Sequence, residues 1–301
     1  MKHIFVINPG AGKRDGTKEM REKIRGIEAE IDSEIYITRY AGDATEFVMR
    51  WCEAHREEAA RFYACGGDGT LNEVATGLMR MPTAHKEVTH YPCGSGNDYV
   101  KCFGKDFYDI SKLVHGEAKA VDIMQIGNRY CINVCNIGLE ARVCKTMIEV
   151  RRKPIIGGSN AYMTGIVRNL LTGFNMDCEI TIDGNDFHKG TMLLATLSNG
   201  QYVGGGYHCA PRSVNDDGLM DVLLFRPMTL PTMIKKLPIY QRGKHFEDAG
   251  MAQYYRYARA EKVEVRAAKT IDLCIDGEML KGSRFEIQNL KRAIPFTVAA
   301  E

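Results

Sequence analysis

The segment Gly66-Gly67-Asp68-Gly69-Thr70 follows a short apolar run and precedes a stretch with helical spacing. A glycine-rich turn between a strand and a helix lets the backbone reach positive φ angles and approach a ligand closely. The free N–H groups at the start of the helix favour an anion such as phosphate. An aspartate in that turn would repel phosphate unless a divalent cation lies between them. The turn therefore predicts half of a metal–nucleotide site.

Two more glycine turns follow predicted strands in the first part of the chain. One is Asn8-Pro9-Gly10-Ala11-Gly12, whose spacing matches neither a P-loop nor a dinucleotide-binding turn. The other is Cys93-Gly94-Ser95-Gly96-Asn97-Asp98. Because the turns after parallel strands gather at the carboxyl edge of an open sheet, we expect the three turns to lie together at a ligand site.

Strands and helices alternate over residues 1–120, which predicts a parallel sheet flanked by helices. Asp43 and Glu46 have the spacing of a capping box at the start of one of these helices. Over residues 121–289, short strands separated by turns predict an antiparallel sandwich or barrel with helical insertions.

Three dipeptides in the second region are typical of two-residue hairpin turns: Gly127-Asn128, Asp183-Gly184 and Asp276-Gly277. The last is followed by Glu278, a carboxylate of the kind that can accept a proton from an alcohol. The spacing alone favours an ordinary turn over a catalytic residue.

The composition limits the function. Lys and Arg total 40 against 38 Asp and Glu, so the chain lacks the strongly basic field of a nucleic-acid binder. No apolar run approaches the roughly 18–20 residues that span a bilayer, and no apolar segment typical of a signal peptide follows the N-terminus. The ten cysteines contain no C-x-x-C pair, which predicts buried free thiols in a cytoplasmic protein.

Several acidic residues are candidate ligands or catalysts, and each has a simpler interpretation. Asp68 and Asp98 could cap helices, and Asp122 could be a boundary residue. The segment Asn215-Asp216-Asp217-Gly218 would ordinarily be a polar turn.

The motifs NPGAG, CGGDGTLNEVATGL, PCGSGND, NDDGLMDV and IDGE occur in that order over nearly the whole chain. Together they resemble the diacylglycerol kinase catalytic family, which includes sphingosine kinases, ceramide kinases and many bacterial lipid kinases. The resemblance implies an N-terminal α/β domain like those of NAD kinases and phosphofructokinases, and a C-terminal β-sandwich. It also implies that a last strand at about 290–301 returns to the first domain.

The resemblance also implies roles for individual residues. The positions that match its ATP-contacting segments are Asn8, Pro9, Gly10, Ala11, Gly12, Thr38, Gly67, Asp68, Gly69, Thr70, Leu71, Asn72, Glu73 and Ser95. The positions that match its metal sites are Asp68, Asp98 and Asp122 for a catalytic Mg²⁺ held through water, and Val214, Asp217 and Leu219 for a structural Mg²⁺. Glu278 matches the proton acceptor, with Asp276 beside it and Asp68 as a further catalytic residue.

The implied activity is transfer of the γ-phosphate of ATP to a lipid hydroxyl, with diacylglycerol or a related glycerolipid as the expected acceptor. The lipid requires contact with a membrane, so we expect peripheral association at its inner face, and a homodimer is one possible assembly. Basic residues that could meet anionic headgroups are Arg151, Arg152, Lys153, Lys235, Lys236, Arg242 and Lys244. A solvated charged surface is the simpler interpretation. Tyr162, Ile166 and Leu170 could wall an acyl pocket or pack in the core.

Two other functions remain open from the sequence. An NAD kinase shares the GGDGT turn, although the Asn-Thr-Pro-rich loop of that family is not found and Asn72-Glu73 follow the turn here. A non-catalytic regulator could bind nucleotide or lipid without turnover, although the retained Asp68, Asp217 and Glu278 argue against it.

Overall fold

The structure is a computed structural model that describes residues 1–12, 14–82, 84–151 and 175–301, with only the backbone described at 147–151. The predicted acyl-wall residues Tyr162, Ile166 and Leu170 and the basic Arg152 and Lys153 lie outside the described residues, as does the side chain of Arg151. The chain divides into two compact units, one of Met1–Ile123 with Lys291–Glu301 and one of Met124–Leu290.

The first unit contains a parallel sheet. Its strands are β1 (Lys2–Ile7), β2 (Asp32–Ile37), β3 (Ala60–Gly66) and β4 (Lys86–Pro92), in the spatial order β2–β1–β3–β4. Beyond β4, the end of the last strand of the chain pairs in parallel through Phe296 and Val88. Strands β1, β3 and β4 are almost entirely buried, as expected of a sheet covered on both faces.

The helices of this unit are α1 (Thr17–Arg25), α2 (Asp43–Ala54), α3 (Asp68–Arg80) and α4 (Ile110–Val114), with a 3₁₀ helix at Tyr99–Phe103. Helices α1, α2 and α3 join consecutive parallel strands, so the predicted α/β class is confirmed for this unit.

The predicted capping box of α2 is wrong. Gly42, with a φ of 92°, precedes the helix and supplies no side chain. Glu73 on α3 instead accepts hydrogen bonds from the Gly42 and Ala44 amides at 2.9 and 3.3 Å. The buried Asp43 carboxylate accepts from Arg39, which lowers its pKa well below the usual range. A helix terminus can take its acceptor from a residue distant in sequence, and local spacing does not reveal this.

The second unit is antiparallel. Its strands are the end of β5 (Glu117–Ile126), β6 (Arg129–Cys131), β7 (Val134–Gly138), β8 (Met176–Ile182), β9 (Asn185–Met192), β10 (Leu194–Ser198), β11 (Met220–Phe225), β12 (Tyr255–Ala260), β13 (Lys262–Ile275) and the first part of β14 (Glu278–Val298). One set runs β12–β11–β10–β7–β13–β14, and β9–β8 pairs with the first half of β13. An irregularity between Arg266 and Ile271 separates the halves of β13. Side chains of both sets share one core, which confirms the predicted sandwich.

All three predicted hairpin turns of this unit are present. Residues 126 and 129, 182 and 185, and 275 and 278 are directly paired across two-residue turns. Asp183, Gly184, Asp276 and Gly277 all have positive φ angles between 46° and 92°, which defines type I′ turns. The predicted free thiols are also confirmed, since none of the ten cysteines forms a disulfide bond and most are buried.

The described helices of the second unit are α5 (Leu139–Arg151) and α6 (Leu230–Gln241), followed by short 3₁₀ segments at Lys244–Phe246 and Ala252–Tyr254. Helix α6 is a helical insertion in this unit, as predicted. Among the described residues, no helix combines the length and the hydrophobicity that crossing a membrane would require.

His245 is fully buried next to α6, in a cluster of aromatic rings. It lies against Phe225, Tyr240, Phe246 and Tyr255, with ring centroids 4.5–6.4 Å apart. Neither ring nitrogen has a hydrogen-bond partner among the described residues. Burial lowers the pKa of His245 to about 4, so the imidazole is neutral in the folded protein.

We expect His245 to make the second unit acid-sensitive. As the pH falls below the ordinary pKa of 6.5, the unfolded chain binds a proton that the folded chain takes up only near pH 4. The stabilisation is therefore complete above about pH 6.5 and is lost towards about pH 4, by up to about 3 kcal/mol. His245→Phe keeps an apolar ring in the cluster and should flatten this dependence. Urea unfolding between about pH 7 and pH 4, followed by circular dichroism, measures the free energy of unfolding at each pH. The same pH dependence of that free energy in both proteins would contradict the expectation.

Candidate active site

The second and third glycine turns are bonded to each other through one carbonyl group. The carbonyl oxygen of Gly66 accepts hydrogen bonds from the amides of Cys93 and Gly94 at 2.7 and 3.1 Å. The Nε2 atom of His90 lies 3.0 Å from the same oxygen. Because all three donors lie on β4 or the turn that follows it, this contact sets the distance between the two turns.

Small residues are required where the turns meet. A β-carbon at Gly94 would lie 2.5 Å from the Cα atom of Gly67. At Gly12, where φ is +78°, a β-carbon would lie 2.6 Å from the carbonyl oxygen of Cys93. The first turn also contacts the second, because Asn8 Nδ2 donates to Thr70 Oγ1 at 3.0 Å. The expectation that the three turns lie together is confirmed.

Asp68 lies at the centre of this arrangement. It is the first residue of α3, and Gly67 occupies the N-cap position. Its Oδ1 atom accepts hydrogen bonds from the amides of Asp98 and Tyr99 at 2.7 and 3.2 Å. Asp68 therefore satisfies the start of the 3₁₀ helix of the third turn and does not act as the N-cap of its own helix.

The carboxylates of Asp68 and Asp98 face the same glycine. A β-carbon at Gly96 would lie 2.9 Å from Asp68 Oδ2 and 3.3 Å from Asp98 Oδ2. Lys101 Nζ lies 2.5 Å from Asp98 Oδ1. Two carboxylates that share a small open position and already attract an ammonium group have the chemistry that suits a hard cation.

His90, on β4, contacts the second turn through the Gly66 carbonyl group. This residue was not identified from the sequence. Its side chain is fully buried. Burial lowers its pKa, and the nearby Asp68 charge acts in the opposite direction. The neutral ring donates from Nε2 to Gly66, while Nδ1 has no hydrogen-bond partner within the described part of the chain.

Asp122, the third predicted catalytic metal residue, is fully buried. Its Oδ1 atom accepts a hydrogen bond from the amide of Arg292 at 2.7 Å. Arg292 has a φ of 49°, so this bond stabilises a left-handed residue in β14. One oxygen of Asp122 thus has a structural role.

The other predicted nucleotide residues lie at the carboxyl ends of β1, β2 and β4 and at the start of α3. Thr38 follows β2, and its amide donates to Ile7 at 2.9 Å. Leu71 is fully buried, which leaves only its backbone for a ligand, whereas Ser95 is exposed. Glu73 differs from the others because its carboxylate is bonded to the start of α2. The remaining predicted positions are Asn8, Pro9, Gly10, Ala11, Gly12, Gly67, Gly69, Thr70 and Asn72.

In the second unit, the Asp276 carboxylate is held by backbone amides. Oδ2 accepts from Ile132 at 2.8 Å, and Oδ1 accepts from Asn133 and Val134 at 3.1 and 2.9 Å. The Cys131 thiol donates to Oδ1 at 3.1 Å. Successive amides that converge on one carboxylate form an anion-binding nest. The nest holds the turn before Glu278 against the link between β6 and β7.

Glu278 is in a different environment, although only Gly277 separates it from Asp276. It is the first residue of β14 and is 44% exposed. Its Oε2 atom accepts a hydrogen bond from Arg129 at 2.8 Å. The carboxylate is therefore accessible and oriented by a cation, as a proton acceptor for a bound alcohol would need to be.

The predicted structural metal loop carries an ion pair. Asp217 accepts from the Leu219 amide at 3.0 Å and from the guanidinium of Arg259. Asp221 is buried beside it, and its Oδ2 atom lacks a hydrogen-bond partner among the described residues. Burial raises the pKa of Asp221, against the opposing effects of the Tyr257 hydroxyl and of Arg259. Val214 is 44% exposed.

Within the described ranges, no three or more His, Cys, Asp or Glu side chains are arranged to bind a metal ion directly. Each predicted metal site nevertheless contains carboxylates next to a basic side chain, Lys101 in one and Arg259 in the other. Their oxygen donors are those that Mg²⁺ prefers, with water completing its shell. The residues present therefore fit the ion.

An apolar pocket lies in the second unit between α5, α6 and the strands β10 and β11. Its lining residues are Leu139, Glu140, Val143, Leu193, Leu194, Phe225, Met228, Met233, Ile234, Leu237, Tyr240 and Met251. Among the described lining residues the acidic one is Glu140, and burial raises its pKa. Its carboxyl group accepts from the hydroxyls of Tyr240 and Thr196, which fastens α6 to α5 and β10.

Sequence reasoning missed Arg129, His90, Lys101 and Arg259, as well as the pocket. Arg129 directly follows a hairpin turn, as Glu278 does, but nothing local indicates that the two hairpins meet. Asn97 could have been recognised, because Asn tolerates left-handed conformations. Its φ is 51°, and its side chain closes the third turn by bonding the amide and carbonyl of Gly94.

We expect Asp276→Asn to destabilise the second unit by about 1–3 kcal/mol, because an amide offers only one acceptor oxygen to three backbone donors. Asn tolerates the positive φ of this position. Asp183→Asn is the matched control, since Asp183 occupies the same turn position and accepts one backbone bond, from Lys262 at 2.8 Å. Urea unfolding measures both variants, and equal losses would show that the nest contributes little.

Comparison with known proteins agrees with this architecture. The family model described as the diacylglycerol kinase catalytic domain matches residues 2–126. The model described as the YegS C-terminal NAD kinase beta sandwich-like domain matches residues 133–295. Both halves of the predicted fold class are therefore confirmed.

Individual relatives match over the whole chain. A diacylglycerol kinase of Bacillus subtilis (strain 168) is 31% identical over 314 residues, which cover 100% of this chain and 98% of the relative. A protein of Yersinia pestis (strain Pestoides F), named "Probable lipid kinase YegS-like", is 31% identical and covers 97% of this chain and 95% of its own length.

A solved structure supports the fold alone. The crystal structure of a diacylglycerol kinase from Bacillus anthracis str. Sterne superposes with a TM-score of 0.71 at 21% identity, covering 98% of this chain and 96% of that one. The matching domain models and the full-length relatives show the family. The members of this family are phosphotransferases that act on an alcohol group, and the chain belongs to it: the diacylglycerol kinase catalytic family.

Proposed function

We propose that the protein is an ATP- and Mg²⁺-dependent lipid kinase that phosphorylates the hydroxyl of diacylglycerol or a related glycerolipid. The observation that carries the proposal is the meeting of the three glycine turns around Asp68 and Asp98. Such turns supply free amides for phosphate oxygens, and the paired carboxylates supply ligands for the metal that accompanies ATP.

In this proposal the first unit binds the nucleotide. The backbone of Asn8–Gly12 and of Gly67–Asn72, together with Thr38 and Ser95, contacts ATP. Glu73 acts indirectly, because its bonds to Gly42 and Ala44 join α3 to the start of α2. Positioning of the phosphates would contribute much of the rate acceleration.

A catalytic Mg²⁺ would be held through water by Asp68, Asp98 and Asp122. The ion pair between Lys101 and Asp98 would either break when the metal binds or remain as a second positive charge beside it. Val214 and Leu219 carbonyls with Asp217 would hold a structural Mg²⁺. When bound, the catalytic ion offsets the negative charge that develops on the transferred phosphoryl group.

Glu278 accepts the proton of the acceptor hydroxyl while the hydroxyl oxygen attacks the γ-phosphorus. The Arg129 hydrogen bond orients its carboxylate. Asp276, whose oxygens are occupied by backbone amides, fixes the turn that carries Glu278 and is a positioning residue in this scheme.

The apolar pocket supports a lipid acceptor over NAD. A nucleotide acceptor would require several polar contacts, whereas the described lining of the pocket consists mainly of methionine, leucine, valine and phenylalanine side chains. The polar residues of this lining, Glu140 and Tyr240, are bonded to each other. Such a lining suits an acyl chain.

Glu278→Gln should reduce lipid phosphorylation by at least about 100-fold, because the amide cannot accept the proton. ATP binding, measured by calorimetry, should be unchanged. Glu286→Gln on the same strand is the matched control, since Glu286 is an exposed carboxylate paired with Lys262. Turnover in Glu278→Gln comparable to that of the control would rule out Glu278 as the base.

The acceptor class can be tested with labelled ATP and a panel of micellar alcohols. The panel holds diacylglycerol, a monoacylglycerol, a sphingoid base and a polyprenol, with NAD as the non-lipid alternative, each with and without Mg²⁺. Magnesium-dependent labelling of a glycerolipid supports the proposal. Labelling of NAD alone would indicate an NAD kinase, and binding of ATP without labelling of any acceptor would indicate a non-catalytic regulator.

We also propose that α6 contacts an anionic membrane surface. Ile234, which lines the pocket, is 60% exposed, and Lys235 beside it is exposed as well. Of the four predicted basic residues here, Lys236 pairs with Asp248 at 3.0 Å and Lys244 with Glu247 at 2.8 Å. The unneutralised charge is therefore smaller than the sequence indicated.

Ile234→Glu should weaken sedimentation with vesicles that contain anionic lipid, because it replaces an exposed apolar side chain with a charge that the headgroups repel. Tyr108→Glu in the first unit is the matched control, since Tyr108 is 62% exposed. Equal binding of the unmodified protein to neutral and anionic vesicles would contradict the membrane proposal.

A further inference from the structure

Arg129 and Glu278 occupy equivalent places on two hairpins. Arg129 is the first residue of β6, after the Gly127-Asn128 turn, and Glu278 is the first residue of β14, after the Asp276-Gly277 turn. Arg129 Nη1 donates a hydrogen bond to Glu278 Oε2 at 2.8 Å. The pair thus joins the ends of two turns that are 149 residues apart in sequence.

The exposure of the pair argues against a mainly structural role. The side chains are 43% and 44% exposed. Exposed ion pairs add little to stability, because water and salt screen the charges and ordering both side chains opposes the gain. Loss of this pair should therefore leave the fold intact.

The contact engages one oxygen of the carboxylate. Within the described residues, the bond to Arg129 is the single polar contact of the Glu278 side chain. Oε1 is left to accept a hydrogen bond from another group. A guanidinium bound to one oxygen of a general base restricts the rotation of that carboxylate and defines the direction in which the second oxygen points.

The backbone near Arg129 is itself fixed to the same turn. The chain runs from Arg129 through Cys131 to the amides of Ile132–Val134, which bind the Asp276 carboxylate. Asp276 therefore holds the segment that carries Arg129, and Arg129 holds Glu278. These two contacts restrict the orientation of the Glu278 carboxylate relative to its own hairpin.

We propose that Arg129 is a positioning residue that presents Oε1 of Glu278 to the acceptor hydroxyl. The inference rests on the proposed kinase function. In the reaction, the hydroxyl oxygen bonds to the γ-phosphorus and its proton passes to Glu278. The bond from the γ-phosphorus to the bridging oxygen breaks, and ADP leaves with that electron pair. Arg129 is unchanged by the step and keeps its bond to Oε2.

The test compares Arg129→Ala, Arg129→Lys and Arg266→Ala in the magnesium-dependent lipid assay. Arg266 is the matched control, because it forms an exposed pair with Glu264 at 3.1 Å in the same unit. Arg129→Ala should lower kcat by about 10- to 100-fold, the effect of a misplaced base. The KM values for ATP and lipid and the melting temperature should stay unchanged. Arg129→Lys keeps a positively charged donor group at this position and should recover part of kcat. The kcat of Arg266→Ala should match that of the wild type.

The other outcomes distinguish the positioning role of Arg129 from a structural role and from failure of the proposed kinase function. If the wild type is active and Glu278→Gln is not, but Arg129→Ala keeps the wild-type kcat, the positioning role is wrong and the kinase function stands. A fall in kcat that accompanies a lower melting temperature and is not recovered by lysine would assign Arg129 a structural role and overturn the inference. If the wild type phosphorylates no lipid under any condition, the proposed function and the inference both fail.

Discussion

The hydrogen bonds from the amides of Asp98 and Tyr99 to the Asp68 carboxylate are the contacts on which the candidate nucleotide site depends. They place the third glycine turn against the second, and the bonds to the Gly66 carbonyl hold the same two turns from the other side. The Asp68 carboxylate also lies close to a second carboxylate, that of Asp98, beside Gly96. The same residue therefore organises the turns and belongs to the proposed cation site.

Asp276 and Glu278 show how two carboxylates on one hairpin acquire different roles. The left-handed turn directs Asp276 to three converging amides, where its charge stabilises backbone geometry. Glu278, in extended strand, faces solvent and meets one guanidinium. A group whose oxygens are all bonded cannot readily accept a proton, and a group bonded on one side can. The different surroundings of the two carboxylates give Asp276 a structural role and leave Glu278 as the candidate base.

Much of the fold was predictable because its signals are local. Buried parallel strands appear as continuous apolar runs, and two-residue turns need Gly, Asn or Asp. The sandwich strands and helix α6 follow from such patterns. The capping of α2 was not predictable, because its acceptor comes from Glu73 on a neighbouring helix. The charge expected on the α6 surface was overestimated for the same reason, since Lys236 pairs with Asp248, which lies beyond the helix.

The sequence by itself determined the architecture of both units, the three glycine turns and the acidic residues that the family places at its site. The architecture and the turns follow from backbone preferences that local residues encode, whereas the acidic residues were assigned by their resemblance to the family motifs. Only the tertiary structure decided which carboxylates are engaged and by what: Asp276 by a nest, Glu278 by Arg129 and Asp217 by Arg259. Such pairings join segments distant in sequence. They depend on strand order and register, which side-chain packing across the whole unit establishes.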